Sequence, residues 1–285
     1  VQMKILITGA KGQLGTDLVS TFSEDPRFEL FPYSKEELDI TNETIVKEVM
    51  EELQPDLVIH AAAYTAVDDC ETNWKTAFEV NSFGTYYMAR AAKSVGAAML
   101  YISTDFIFNG KKRQPYTIDD APDPLSMYGT SKLLGERLVQ RILKESYIVR
   151  TSWVYGENGK NFVKTMLRLA EKGKEFYVVD DQIGSPTYTK DLAYAIKQLI
   201  GKKFGIYHIS NDGACSWFTF ARSILKLAGY QEELVQPIST KEYGVIAQRP
   251  AFSVLSKESI EKEGIHMRYW QEALEEFFER GDQYD

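Results

Sequence analysis

Scarcity is informative in this chain. Only two cysteines occur in 285 residues, Cys70 and Cys215. Their positions give neither a disulfide framework nor a zinc-type spacing, so both read as small buried hydrophobes of a protein kept reduced. No apolar run reaches the ~18 residues of a membrane span. Basic charge is in deficit, with 33 Lys+Arg against 41 Asp+Glu and a net charge of −8, which argues against non-specific nucleic-acid binding. A local anion site remains compatible with that balance, because backbone donors can outweigh global charge. The opening VQMKILITG enters a strand pattern at once, without the layout of a signal peptide, and a cytoplasmic location is expected. Repeats, low-complexity tracts and an obvious flexible linker are all missing.

What is present is a strand–helix rhythm. MKILITG (3–9), FELFPY (28–33), DLVIHAAA (56–63), AAMLYIST (97–104) and YIVRTSWVYG (147–156) read as strands. Amphipathic segments with helical spacing separate them. Such alternation implies an α/β fold with a doubly wound parallel sheet of Rossmann type, helices on both faces. After residue 156 the rhythm loosens, although GIYHIS (205–210) looks like another strand. We expect a nucleotide-binding unit over 1–152, rejoined by a strand near 205–210, and a smaller, interlocked, mainly substrate-binding unit over 153–285.

TGAKGQLG (8–15) lies between the first strand and the first helix. Gly9, Gly12 and Gly15 follow a GxxGxxG spacing, and such glycines permit a tight turn, close backbone approach and helix N–H groups facing a pyrophosphate. No carboxylate stands at the end of strand two, where an acid would bind a ribose hydroxyl. Tyr33, Ser34 and Lys35 occupy that place, so Lys35, with Lys11 in the glycine loop, is either the partner of a 2′-phosphate or a solvated surface charge. This leans the cofactor to NADPH, with NADH as the alternative. Asp39 lies further on, better placed for the adenine side.

The stretch MYGTSK (127–132) puts Tyr128 and Lys132 one helical turn apart, on a shared face. Gly135 and Val139 continue that stripe, with Leu134, Leu138 and Ile142 expected beside it, toward the core. A free tyrosine is a poor acid at neutral pH, and an adjacent ammonium would lower its pKa and suit it to protonating a carbonyl oxygen. With 17 tyrosines, a YxxxK spacing alone is weak. Strand four adds Ser103 and Thr104 at the carboxyl end of a parallel strand, the edge where open α/β sheets bind ligands. A hydroxyl there can either reach the same carbonyl oxygen or cap the strand end.

TGAKGQLG, HAAAYTAVD, STDFIFNG, YGTSK and RTSWVYG occur in the order seen in extended short-chain dehydrogenases/reductases. LDIT, NFVKTMLRLA, DQIGSPTYT and QRPAFSVL add a resemblance to one branch, the dTDP-4-dehydrorhamnose reductases, across nearly the whole chain. The resemblance implies a catalytic trio: Tyr128 protonating a C4 ketone, Lys132 holding the nicotinamide ribose and tuning the phenol, and Thr104 orienting the carbonyl. It implies cofactor contacts from Gly9, Gly12, Gln13, Leu14 and Gly15 at the pyrophosphate. Asp39 and Ile40 would border the adenine, and Ala61, Ala62, Ala63, Tyr64 and Ser103 would flank the cofactor along the strand ends. Thr65, Val67, Asp105 and Trp153 would face the sugar of a dTDP-sugar substrate. Arg249 would meet its diphosphate or, alternatively, form a structural ion pair. Two residues depart from the pattern: His60 stands where asparagine is frequent and reads as a strand-end packing or hydrogen-bonding residue rather than a catalyst, and Asp69 stands where lysine is common. Some relatives bind magnesium at a dimer interface. Those positions find no match, so no metal is expected, and the state is monomer or homodimer.

Three rivals share these motifs. A 4,6-dehydratase would carry glutamate after Thr104-Asp105, whereas Phe106 moves no proton. A 4-epimerase keeps the tyrosine and lysine but recycles bound NAD. A regulatory docking protein, like the regulatory subunit of methionine adenosyltransferase, keeps the fold without the turnover.

Overall fold

Residues 1–281 are described by a computed structural model. Six strands build one sheet: β1 (Met3–Thr8), β2 (Phe28–Tyr33), β3 (Leu57–His60), β4 (Ala98–Thr104), β5 (Ser146–Thr151) and β6 (Gly205–His208). They run in the order β6-β5-β4-β3-β1-β2, every pair parallel. The chain fills one side of β1 with β2 and then crosses to the other side with β3. The carboxyl ends of β1 and β3 therefore diverge into a crevice, the place where such sheets bind ligands.

Alternation along each strand sorts the core. Ile5 and Ile7 face the helices α1 (Gln13–Ser23) and α6 (Thr189–Leu199), together with Leu57, Ile59 and Val149. Leu6, Val58, Met99 and Tyr101 face α2 (Glu43–Leu53), α3 (Thr85–Ser94) and α4 (Met127–Ile142). Both faces are thus buried, as parallel sheets require. A third cluster lies after β5, where α5 (Phe162–Ala170), α7 (Trp217–Leu227) and α8 (Trp270–Gly281) enclose Tyr155, Val163, Phe220, Ile224, Leu274 and Phe277.

Two expectations need adjusting. The amphipathic segment between strands three and four, expected to be helical throughout, is interrupted by a π-helical turn at Glu79–Gly84, just before α3. Such turns arise where a side chain must be re-aimed, and here buried Asn81 points back into the structure. Its amide donates to the Tyr64 carbonyl and to Ser131 Oγ, both at 3.0 Å, and accepts from Tyr64 N at 2.8 Å. The fifth strand stops at Thr151 rather than running to Gly156, because Trp153 adopts φ +48°, a left-handed turn costly for a bulky residue. Val154–Tyr155 then pairs with Thr187–Tyr188 instead.

Candidate active site

Gly9 turns the chain out of β1 with φ +63°, and a Cβ there would sit 2.8 Å from the Ala62 nitrogen at the end of β3. A Cβ on Gly15 would lie 2.0 Å from the Gly9 carbonyl oxygen. The loop is packed so tightly that only glycine fits, and α1 begins behind Gly12 with no side-chain cap. No side chain competes for its first-turn N–H groups, which suits a pyrophosphate.

On the other side of β3, Ser126 caps α4 by accepting from Gly129 N at 3.1 Å. Gly129 and Gly135 let the helix press onto β4: Cβ atoms there would meet the Phe106 carbonyl oxygen at 2.2 Å and the Tyr101 hydroxyl at 2.4 Å. This close approach brings Tyr128 and Lys132 to Thr104. All three line one cleft of about 700 Å³ with Gly9, Gly12, Gln13, Leu14 and Gly15 of the loop. Ala61, Ala63, Thr65, Val67, Ser103, Asp105, Trp153 and Arg249 line it as well.

Seven of the residues named from sequence lie outside that lining: Lys11, Ser34, Lys35, Asp39, Ile40, Ala62 and Tyr64. Ala62 N donates to Thr8 Oγ1 at 3.2 Å, and Tyr64 is tied to Asn81. Asp39 accepts from Thr41 N and Oγ1, which forms a local turn. Ile40 is buried against Gly84. Lys11 and Lys35 are exposed and both act on Glu36, so they share the rim above β2. Buried Ser34 faces Glu37.

The electrostatics depart from one expectation. Burial, not the lysine, governs the Tyr128 phenol: it pushes the pKa up, Thr104 pulls part of this back, and Asp105 adds to the rise. The Lys132 ammonium donates to the Ile102 carbonyl at 2.6 Å and lies 4.5 Å from the Tyr101 ring centre. Burial pushes Lys132 down to about 7, against the pull of Glu136. The expected core face of α4 is also displaced. Leu134, Leu138 and Ile142 are only half-buried, while Glu136 is fully buried, because Arg150 of β5 reaches it at 2.7 Å.

Asp105 Oδ2 accepts from Ser253 Oγ at 2.6 Å and Oδ1 from Thr104 Oγ1 at 3.2 Å. Burial raises it to about 7. Thr104 also caps the turn after β4 by accepting from Phe106 N at 3.1 Å, so the capping reading and the cleft position coexist. Arg249 grips Asp68 through two contacts of 2.9 and 3.1 Å while lining the cleft. His60 is a packing residue: its ring nitrogens sit 2.8 Å from Thr8 Oγ1 and 3.1 Å from Thr85 Oγ1, and burial pushes it down to about 3.

Sequence reasoning passed over Trp217, Gly159, Lys160 and Phe106 as lining residues. Trp217 stacks on Trp153 with ring centres 3.6 Å apart. Its only sequence signal was a large aromatic directly after the capping Ser216. Gly159 and Lys160 precede Asn161, the cap of α5, a glycine-then-cap pattern that marks a shaped loop.

A doubly wound parallel sheet with a glycine loop, and a threonine–tyrosine–lysine cleft at the switch of strand order, is the architecture of the Rossmann-type short-chain dehydrogenases/reductases. The family model described as RmlD substrate binding domain matches residues 3–282. A dTDP-4-dehydrorhamnose reductase of Aggregatibacter actinomycetemcomitans is 42% identical over 284 residues, covering 95% of this chain and 97% of its own. The spore coat polysaccharide biosynthesis protein SpsK of Bacillus subtilis is 47% identical over 276 residues, covering 97% of each chain. A crystal structure of dTDP-4-dehydrorhamnose reductase from Bacillus anthracis in complex with NADP superposes with a TM-score of 0.95 at 42% identity, over 98% of this chain and 100% of that one. The chain belongs to the dTDP-4-dehydrorhamnose reductase family.

Proposed function

We propose that this protein uses NADPH to reduce the C4 ketone of dTDP-4-dehydro-L-rhamnose, giving dTDP-L-rhamnose. The observation that carries the reading is the convergence of Thr104, Tyr128 and Lys132 with the glycine loop in one cleft. The names of the relatives and the NADP complex of the Bacillus anthracis protein support substrate and cofactor.

The glycine loop fits the dinucleotide, since glycine at 9 and 15 lets the loop fold back against Ala62 and onto α1, whose start carries no side-chain cap. Amides at the start of α1 hold the pyrophosphate, and the exposed Lys35 and Lys11 hold the 2′-phosphate. Lys132 binds the nicotinamide ribose. When bound, the reduced nicotinamide supplies the hydride that C4 accepts. Tyr128 donates its phenolic proton to the C4 oxygen, forming the new O–H bond and leaving a phenolate. Burial keeps the phenol fully protonated at neutral pH, the state a general acid must start from. Thr104, the group that favours its ionised form, steadies the phenolate. Trp153, Thr65, Val67 and Asp105 hold the sugar, and Arg249 the diphosphate.

The test is an assay with dTDP-4-dehydro-L-rhamnose that follows loss of the reduced-nicotinamide absorbance and identifies the product. One NADPH consumed per dTDP-L-rhamnose formed supports the reading. A product formed without net NADPH loss would indicate an epimerase. Tight NADPH binding without sugar-dependent oxidation would indicate a docking protein.

A further inference from the structure

Glu136 lies one turn beyond Lys132 on α4 and is fully buried. Both of its oxygens are engaged. Arg150 approaches with Nε at 3.2 and 3.1 Å and Nη2 at 2.7 Å, and Ser103 Oγ donates to Oε2. Behind this pair, Arg150 Nη1 lies 3.3 Å from His208 Nε2, and His208 Nδ1 lies 3.0 Å from the Tyr116 carbonyl oxygen. Arginine can only donate, so Nε2 accepts and the ring proton sits on Nδ1, pointing at the carbonyl. His208 is therefore neutral, and burial with the adjacent Arg150 holds it down to about 3.

Three strands and one helix thus contribute to a chain of polar groups with no solvent access. A buried ion pair is a poor route to stability, because an apolar pair of the same volume serves as well or better. Its orientation is what matters here. The groups facing Lys132 are Tyr128 and Glu136 on its own helix, Tyr101 and the Ile102 carbonyl on β4, and His60 on β3. His60 is uncharged, and burial keeps both phenols protonated. Glu136 is the carboxylate that acts on the lysine, while Asp105 lies on the far side of Thr104 and acts on Tyr128.

We propose that Glu136, clamped by Arg150 and Ser103, is a positioning residue that holds the proton on Lys132 within the cleft wall. The clamp keeps the carboxylate from swinging onto the lysine, so Glu136 acts through its field and leaves the ammonium directed at β4 and the cleft. Arg150 and His208 serve the clamp. The inference rests on the reductase reading for its purpose, but its test uses neither substrate nor turnover.

The experiment is an NMR titration of ¹³Cε-lysine-labelled protein without ligand, the Lys132 signal being identified by its loss in Lys132→Arg. Wild type is expected to titrate near pH 7. Glu136→Gln is expected to lower that midpoint by at least about one unit, a tenfold weaker hold on the proton. A folded Glu136→Gln protein with the wild-type midpoint overturns the proposal. Should the stranded guanidinium unfold that variant, Glu136→Gln/Arg150→Gln decides in the same way, since Arg150 lies beyond the carboxylate and its loss moves Lys132 less. A second readout separates charge from mere structure. NADPH affinity in the variant should fall at pH 7.5 and recover toward wild type at pH 5.5, where Lys132 regains its proton. A loss equal at both pH values would also overturn it. Absence of sugar-dependent NADPH oxidation by wild type, with these shifts intact, would refute the reductase reading alone.

Discussion

Substituting alanine at each glycine of the loop tests the proposed phosphate cradle, because the structure ranks the outcomes in advance. At Gly15 the new methyl would lie 2.0 Å from the Gly9 carbonyl oxygen and 2.9 Å from the Ala10 Cα, all backbone. Neither partner can rotate away, so loop and helix must separate by roughly 1 Å, and a tightly packed interior transmits such a shift. Overpacking of this kind costs about 1–3 kcal/mol, and a change of 1 kcal/mol moves Tm by about 2–4 °C in a chain of this size. At Gly9 the methyl meets the Ala62 nitrogen at 2.8 Å, and the left-handed φ of +63° adds strain of about 1–2 kcal/mol. At Gly12 the only contact is 3.1 Å from the Gly9 oxygen, which yields by a few tenths of an ångström. Gly173 is the control, with φ +64° and nothing near its would-be methyl. NADPH affinity by fluorescence titration should therefore fall at least about tenfold for Gly15→Ala, equal to about 1.4 kcal/mol. It should fall less for Gly9→Ala, least for Gly12→Ala, and not at all for Gly173→Ala, which lowers only Tm. Wild-type NADPH affinity in Gly15→Ala, or an equal loss in Gly173→Ala, would refute the cradle.

Three other perturbations address the remaining walls of the cleft. Tyr128→Phe should lower kcat by about 10²–10⁴ and leave NADPH affinity nearly unchanged, because the lost group moves a proton; an unaltered kcat removes Tyr128 from the chemistry. Asp105 is held at about 7 by burial. Its carboxyl is protonated in both states below about pH 4, and between about 4 and 7 the unfolded chain gives up the proton first, so wild type loses stability as pH rises through that window. Asp105→Asn should abolish that loss, whose ceiling is about 4 kcal/mol, and parallel urea midpoints for both proteins at pH 4.5 and 7.5 would contradict it. A methyl on Gly184 would lie 2.5 Å from the Trp153 ring, so Gly184→Ala should tilt that indole off Trp217. The stack is worth about 0.5–1.5 kcal/mol, and KM for the dTDP-sugar should rise about two- to tenfold with NADPH affinity intact; a change confined to NADPH would place Trp153 on the cofactor side.

What could be read from the sequence were features with local causes. The parallel sheet follows from apolar runs such as MKILIT separated by helical spacing, and both signals act within a few residues. Tyr128 and Lys132 share a helix face by spacing alone. The lysine's surroundings were not legible, because they depend on Arg150 from β5 and Ser103 from β4 meeting Glu136. A glutamate amid LLGERLV reads as a solvated position when only the helix period is visible. The phenol was misjudged for the same reason. An adjacent ammonium is a matter of sequence spacing, whereas the burial that raises the tyrosine pKa is set by how closely two glycines let α4 approach β4. The left-handed turn at Trp153 and its stack on Trp217 join residues 64 positions apart, and no periodicity announces them.

These long-range contacts also explain how two unlike walls form one cleft. The sheet edge fixes the wall that carries Thr104, Tyr128 and Lys132, and the segment after β5 must be registered against it for the cleft to form. Gln13 performs part of that registration. Its side chain donates to the Val154 carbonyl at 3.2 Å and accepts from Asn161 at 2.8 Å, while its backbone begins α1. Arg249 and Ser253 tie the far segment to Asp68 and Asp105 on the near one. Each link ends on a residue that lines the cleft or on its immediate chain neighbour, so wall spacing and site geometry are set by the same hydrogen bonds. Loosening one should change both the spacing of the walls and how firmly they pack, since Val154 at one link also packs against the cluster of α1 and α6, and Ser253 at another follows Phe252, which packs on Ile107, Phe108, Tyr116 and Leu255.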